Sequence, residues 1–236
     1  MLESKNTRKY KLVKTSSENG GEVILLDEKK LKTPEKREIF LPSKELAKAI
    51  SKEWAIQEKT IKISEMPLTK LCFTAIDKVS PYRFDNIQKL LTWASSDLLC
   101  YHVDNNQELI DLQDSLWQPH LDWLELSVGV KLKTTKKMSF INQPKNSIKE
   151  LEKFLTTLDD FTLVCVIGLV EIFGSIVLSL RVSCGGLDYQ RAFKDSMLHE
   201  YWQRKKWGDD PEALQRESNI LKELESIQKF LLLTKK

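Results

Sequence analysis

Twenty-two consecutive positions, 161–182, read FTLVCVIGLVEIFGSIVLSLRV and hold only two charged residues, Glu171 and Arg181. A run of this length is long enough to cross a bilayer as one helix. Its details argue against that. A carboxylate near the middle is costly in lipid, and Gly174 followed by Ser175 interrupts a helix. Two shorter helices meeting at Gly174, apolar on all sides because a bundle surrounds them, account for the run better. The chain is therefore expected to build a helical bundle around this stretch.

The flanking sequence agrees. Leu68, Leu71, Cys72, Ala75, Ile76 and Val79 keep a 3.6-residue period behind Pro67, which sits in a first helical turn where its missing N–H costs nothing. Further helices are expected over 84–101, over 114–128 with Pro119 near its start, over 147–158, and over 211–233 through Leu214, Leu221, Leu224 and Leu231. Residues 10–41 read differently. Short apolar runs at 10–13, 23–26 and 38–41 alternate with Gly- and Asp-containing turns, the pattern of three or four short antiparallel strands. Ser43 then caps a helix that turns Leu46, Ile50, Trp54 and Gln57 to one side. The expected fold class is α+β: a small N-terminal antiparallel sheet plus helix, residues 1–65, followed by a larger α-helical bundle, residues 66–236. A short strand near 130–135 can rejoin the first domain. With 41% hydrophobic and 30% charged residues, 236 positions suffice for such a core and a solvated surface.

Little in the chain points to chemistry. The net charge of +3 gives no footprint for nucleic acid. Residues 1–63 hold 15 Lys/Arg against 10 Asp/Glu, a skew that could meet an acidic partner but that a solvated lysine surface explains more simply. Cys72, Cys100, Cys165 and Cys184 are scattered through apolar surroundings with no metal-ligand spacing, so buried thiols and no metal are expected. Neither pair of adjacent glycines continues into a phosphate-binding motif, and no cofactor is implied. His102, His120 and His199 lack nearby partners in sequence and read as surface or helix-end residues. Asp97 and Asp122 read as helix-surface carboxylates.

One stretch is compositionally odd. Residues 187–210, LDYQRAFKDSMLHEYWQRKKWGDD, read as one helix capped by Asp188 and ended at Gly208, with Arg204, Lys205 and Lys206 complementing its negative end. Phe193, Met197, Tyr201 and Arg204 share a face, and Glu200 lies beside it. Trp202 and Trp207 stand among charges, where tryptophan either anchors a protein interface or seals the edge of a core. Both readings stay open on the residues alone. Trp54, Trp93, Trp117 and Trp123 sit in amphipathic helices and read as core.

Several stretches together resemble one family. They are Leu26-Asp27 through Leu31-Lys32-Thr33-Pro34 to Leu41-Pro42, then Leu46-Ala47 and Glu53-Trp54-Ala55-Ile56-Gln57. Next come Met66-Pro67-Leu68-Thr69-Lys70-Leu71 with Thr74-Ala75-Ile76-Asp77, Asp97-Leu98-Leu99-Cys100-Tyr101, and Trp117-Gln118-Pro119 with Leu121-Asp122-Trp123. Gly174-Ser175 with Val177-Leu178, and Glu200, Gln203 and Trp207-Gly208-Asp209-Asp210, complete the series. In this order they resemble the assembly chaperones that handle the alpha subunit of the F(1) sector of ATP synthase in mitochondria and alphaproteobacteria. Ser95-Ser96, Phe173 and His199 depart from residues common in that family.

The resemblance implies an α+β domain followed by an orthogonal helical bundle. It implies an ATP-independent chaperone, not an enzyme, whose partner is the unassembled alpha subunit. Neither nucleic acid nor membrane insertion is implied, and the oligomeric state stays open. It also singles out the Glu200 carboxylate as functionally important, and with Trp202, Gln203, Trp207 and Asp209 around it this residue is expected to be client-binding or function-linked. An ion pair of Glu200 with Arg204 is the plain structural alternative. Competing readings are an enzyme with a site between the two domains that uses Glu200 and His199, and an interaction module for another client. The first residues, MLESKNTRKYK, carry no apolar signal core and no long Arg/Ser-rich leader. That reads as cytoplasmic in a bacterium, and as mitochondrial matrix in a eukaryote if a targeting peptide precedes this sequence.

Overall fold

A computed structural model describes residues 6–137, 139–208 and 210–235. It has the α+β architecture, and the chain divides into two compact units. One comprises Met1–Tyr82, Asp160–Val164 and Lys229–Lys236, the other Arg83–Asp159 and Cys165–Gln228.

In the first unit, β1 (Asn6–Thr7) pairs antiparallel with β5 (Thr60–Ile61). A separate antiparallel sheet runs β2–β3–β4, formed by Val13–Glu18, Gly21–Leu26 and Lys29–Lys30. Val23 and Ile24 of β3 are buried while most of β2 faces solvent, so this sheet has one dry side. Helix α1 (Lys44–Ala55) covers it. Ser43 accepts from Leu46 N at 3.0 Å, and Leu46, Ala47, Ile50 and Trp54 point inward as their spacing predicts. Gln57 is buried too, satisfied by donating to Glu53 O at 3.1 Å and accepting from Lys62 N at 2.9 Å.

Two carboxylates hold the later part of this unit. Helix α2 (Pro67–Thr74) has no side-chain cap of its own. Glu53 supplies one from α1, accepting from Leu68 N at 2.9 Å, Thr69 N at 2.8 Å and the Thr69 hydroxyl at 2.7 Å. Beyond α2 the chain makes a π turn, Ala75–Val79, that buries Asp77. Asp77 accepts from the Thr33 hydroxyl at 2.7 Å and from Glu35 N at 3.2 Å.

The second unit is helical: α3 (Arg83–Ser95), α4 (Gln107–Val128), α5 (Lys145–Thr157), then the main part of α6 (Asp160–Phe173), α7 (Ile176–Ser183), α8 (Tyr189–Ser196), α9 (Leu198–Trp207) and most of α10 (Pro211–Thr234). The apolar run is two helices meeting at Gly174, whose φ of +65° ends α6. Every residue of α7 except Arg181 is buried, whereas Glu171 reaches solvent. Among the described residues no helix is long and apolar enough to cross a membrane.

Several expectations are corrected. The helix expected over 84–101 stops at Ser95, because Asp97 is not a surface carboxylate. It is 0% exposed and caps a short 3-10 turn, Leu98–Cys100. It accepts from Leu99 N at 2.9 Å, Val177 N at 3.2 Å and the Ser175 hydroxyl at 3.1 Å. Helix α4 starts seven residues before the expected 114, where Asn106 accepts from Leu109 N at 3.0 Å, so Pro119 lies inside it. Residues 130–135 form no strand: Thr135 makes an isolated parallel bridge to Tyr101 in this same unit. Neither is His120 a surface residue. It is buried between Asp195 (Nε2 to Oδ2, 2.9 Å) and Arg181 (Nδ1 to Nη1, 2.6 Å). A guanidinium only donates, so Nδ1 is the acceptor and Nε2 carries the proton. Cys72, Cys100 and Cys165 are buried as expected, but Cys184 is exposed.

Candidate functional site

The stretch expected as one helix breaks at Met197, into α8 and α9. In an unbroken helix the Asp195 carbonyl would accept from His199 N. Here the buried Trp117 indole donates to that carbonyl at 2.8 Å, and the Ser196 hydroxyl turns back to Phe193 O at 2.8 Å. The break lets α9 take its own direction. Its last turn carries Arg204, Lys205 and Lys206, and Gly208, with φ of +90°, ends it.

Helices α9 and α10 are joined by one carboxylate. Glu217 accepts from the Tyr201 hydroxyl at 2.5 Å and from Arg204 Nη1 at 2.7 Å. Burial acts to raise the Glu217 carboxyl, but the hydrogen bonds from Tyr201 and Arg204 outweigh it and hold the group below its ordinary range. Burial and the facing carboxylate push the Tyr201 phenol well above its usual value. Beside this clasp lies an open groove of about 440 Å³. Phe193, Met197, Ala213 and Ile220 give it an apolar lining, and Glu200, Gln203 and Trp207 succeed one another along α9.

Three of the five residues singled out from sequence thus come together, at positions three and four apart on one helix face. Trp207 is 75% exposed, an unusual state for so large an apolar side chain. Glu200 is exposed and makes no ion pair among the described residues, while Arg204 is engaged by Glu217. Trp202 is not in the groove. Its Nε1 donates to Glu108 at 3.1 Å, and Lys206 Nζ lies 3.7 Å from its ring centroid, so it seals α9 against the start of α4. Asp209 lies outside the described residues.

His199 and Glu200 do not converge. The His199 ring lies 5.3 Å from that of Trp117, with Nε2 2.8 Å from Gln113 Nε2, so its ring contacts lie with α4. Burial lowers its pKa, against the opposing charge of Glu200. Among the described residues no group of His, Cys, Asp and Glu could hold a metal ion.

Sequence reasoning missed the clasp. Ala213, Glu217 and Ile220 recur at helical spacing on α10 and turn towards α9, whereas the expected anchor Leu214 is largely exposed. The carboxylate in an otherwise apolar row was the available signal.

Residues 7–125 match the model of the ATP12 chaperone protein family. The chain is similar to the crystal structure of Atp12 from Paracoccus denitrificans, with a TM-score of 0.91 at 32% identity over 98% of this chain and 99% of that one. A protein of Agrobacterium tumefaciens, Atu1473, superposes with a TM-score of 0.89 at 30% identity over 97% of this chain and 86% of that one. Mitochondrial atp12 of Schizosaccharomyces pombe is 24% identical over 91% of this chain and 78% of its own length. The chain belongs to the ATP12 chaperone family.

Proposed function

We propose that this protein is an ATP-independent chaperone that holds the unassembled alpha subunit of the F(1) sector of ATP synthase until the catalytic sector forms, and that the groove beside α9 and α10 is its client surface. The observation that carries the reading is Trp207: a tryptophan 75% exposed, in line with Glu200 and Gln203 over an apolar floor, in a chain of a chaperone family. A free subunit interface is a large apolar patch prone to aggregation. An aromatic anchor over an apolar groove suits such a patch, and the exposed Glu200 carboxylate, without an ion pair among the described residues, sets orientation more than affinity. Binding has to be weaker than the final subunit contact, so that assembly displaces the chaperone.

The test is co-expression. The alpha subunit should stay soluble and co-purify with this protein whether or not nucleotide is present. An alpha subunit that aggregates at the same rate with and without the protein overturns the reading.

A further inference from the structure

A second hollow, of about 600 Å³, lies wholly in the first unit, between the start of β2 and the β3–β4 turn. Its shape is fixed by Asp27. This residue takes a left-handed φ of +55°, and its backbone N–H donates to Leu12 O at 2.8 Å. Its carboxylate accepts from Leu12 N at 2.9 Å and Lys11 N at 3.0 Å. The turn is thereby stitched to the incoming strand, and the Asp27 charge is committed to backbone N–H groups. Leu12 is left 58% exposed beside Leu26.

The rim is cationic. Lys9, Lys14, Lys29 and Lys32 border the hollow and make no ion pair among the described residues. Lys30 differs, being matched by Glu18 at 2.5 Å. Glu28 is the one remaining acid among the lining residues. Four cations without an ion pair among the described residues, set around an exposed leucine, favour a partner with the opposite charge and its own apolar side chains.

We propose that this hollow docks an acidic segment of a partner protein in which carboxylates alternate with apolar side chains. Alternation suits an extended segment lying along a strand, because successive side chains then face the lysine rim and the apolar floor in turn. Single-stranded nucleic acid fits less well, since it needs open aromatic faces for its bases. The one ring here, Tyr10, is covered by Arg8 at 4.6 Å and packs on Trp54 at 5.9 Å. The proposal does not depend on the identity of the client of the α9–α10 groove.

The experiment is a binding titration of the full chain with a fluorescent peptide of alternating glutamate and leucine. A glutamate–serine peptide, a lysine–leucine peptide and phosphatidylserine vesicles are the comparisons. The glutamate–leucine peptide should bind, and weaken as salt rises. Its affinity should fall roughly 10-fold in the Lys14→Glu/Lys32→Glu double variant and roughly 3-fold in Leu12→Ser. All these positions are exposed, and unchanged circular dichroism would show that the variants fold. Equal binding of the glutamate–serine peptide would reduce the site to unspecific charge attraction and overturn the proposal. So would unchanged affinity in both variants, or capture of vesicles without capture of the peptide.

Discussion

The Tyr201 hydroxyl donates to Glu217 Oε1 at 2.5 Å, while Arg204 Nη1 holds the other oxygen of the same carboxylate at 2.7 Å. One half-buried anion therefore satisfies two donors from successive turns of α9. Removing it takes the Glu217 carboxylate away from Arg204, whose side chain is only 16% exposed. Glu217→Ala should cost about 2 kcal/mol in urea unfolding, in the range for hydrogen bonds to charged groups. Glu217→Gln, which still accepts from Tyr201, should cost about half as much. The pH dependence has two signs. The Glu217 pKa is lowered on folding, so its stabilisation is present above the ordinary 4.5 and is lost as pH falls through the folded value. The Tyr201 pKa is raised, so its stabilisation is present below 10.0 and is lost as pH rises beyond it. Unfolding midpoints of the wild type and Tyr201→Phe should converge between neutral pH and the alkaline end. Parallel curves would contradict the clasp.

Asp97 poses the opposite problem. It accepts from two backbone N–H groups and a hydroxyl, yet burial dominates and pushes its pKa up to about 6 from 3.8. A raised folded value means that the stabilisation is full below 3.8 and declines as pH rises through about 6. Asp97→Asn places an amide NH2 against donors and should destabilise at every pH. The gap from wild type should narrow by roughly 2 kcal/mol between pH 4 and pH 7, at about 1.4 kcal/mol for each pKa unit and some relaxation. Chemical denaturation at the two pH values measures this, and a widening gap would refute the assignment.

Glu53 caps a helix to which it does not belong. Three donors at the start of α2 end on its carboxylate. Glu53→Ala should lose about 2 kcal/mol, as a cap with a charged acceptor does, and Glu53→Asp, too short to reach all three, should lose about 1 kcal/mol. Amide exchange should report the damage at Leu68 and Thr69 first. If these amides kept wild-type protection, the cap would be dispensable.

These contacts explain which parts of the fold could be read from the chain. Periodic apolar residues, Ser43, Pro67 and Gly174 announce local structure, because capping and helix geometry are local. The α+β class and the two-helix reading of the apolar run followed from such signals. Asp97, His120 and the break at Met197 did not. Each depends on a partner about 75 or more positions away, Ser175 for Asp97, Asp195 for His120, and Trp117 for the Asp195 carbonyl. Spacing along one helix carries no trace of such partners. The stretches that carry the family resemblance meet at these long-range bonds: Thr33 with Asp77, Glu53 with Thr69, Asp97 with Ser175. Much of that resemblance is therefore a record of how the fold is tied. Glu200, Gln203 and Trp207 are the part it leaves over.

That remainder gives the sharpest prediction about the client. Glu200 is exposed and, among the described residues, free of ion pairs, so Glu200→Gln should change stability by no more than about 0.5 kcal/mol. Trp207→Ser should be similarly mild, because a side chain 75% exposed has little packing to lose. Both should impair client handling, the tryptophan through affinity and the carboxylate through orientation. Trp207→Ser should therefore reduce co-purification of the alpha subunit by roughly 10-fold or more, the loss expected of an aromatic anchor worth upwards of 1.4 kcal/mol. Glu200→Gln should retain more of the bound subunit yet yield less assembled complex. Trp202→Phe supplies the contrast. It breaks the bond to Glu108 and loosens α9 from α4, so it should lower thermal stability while leaving client capture at wild-type level in the fraction that stays folded. If Trp202→Phe abolished capture and Trp207→Ser did not, the client would engage the other side of α9, and the groove would lose its role.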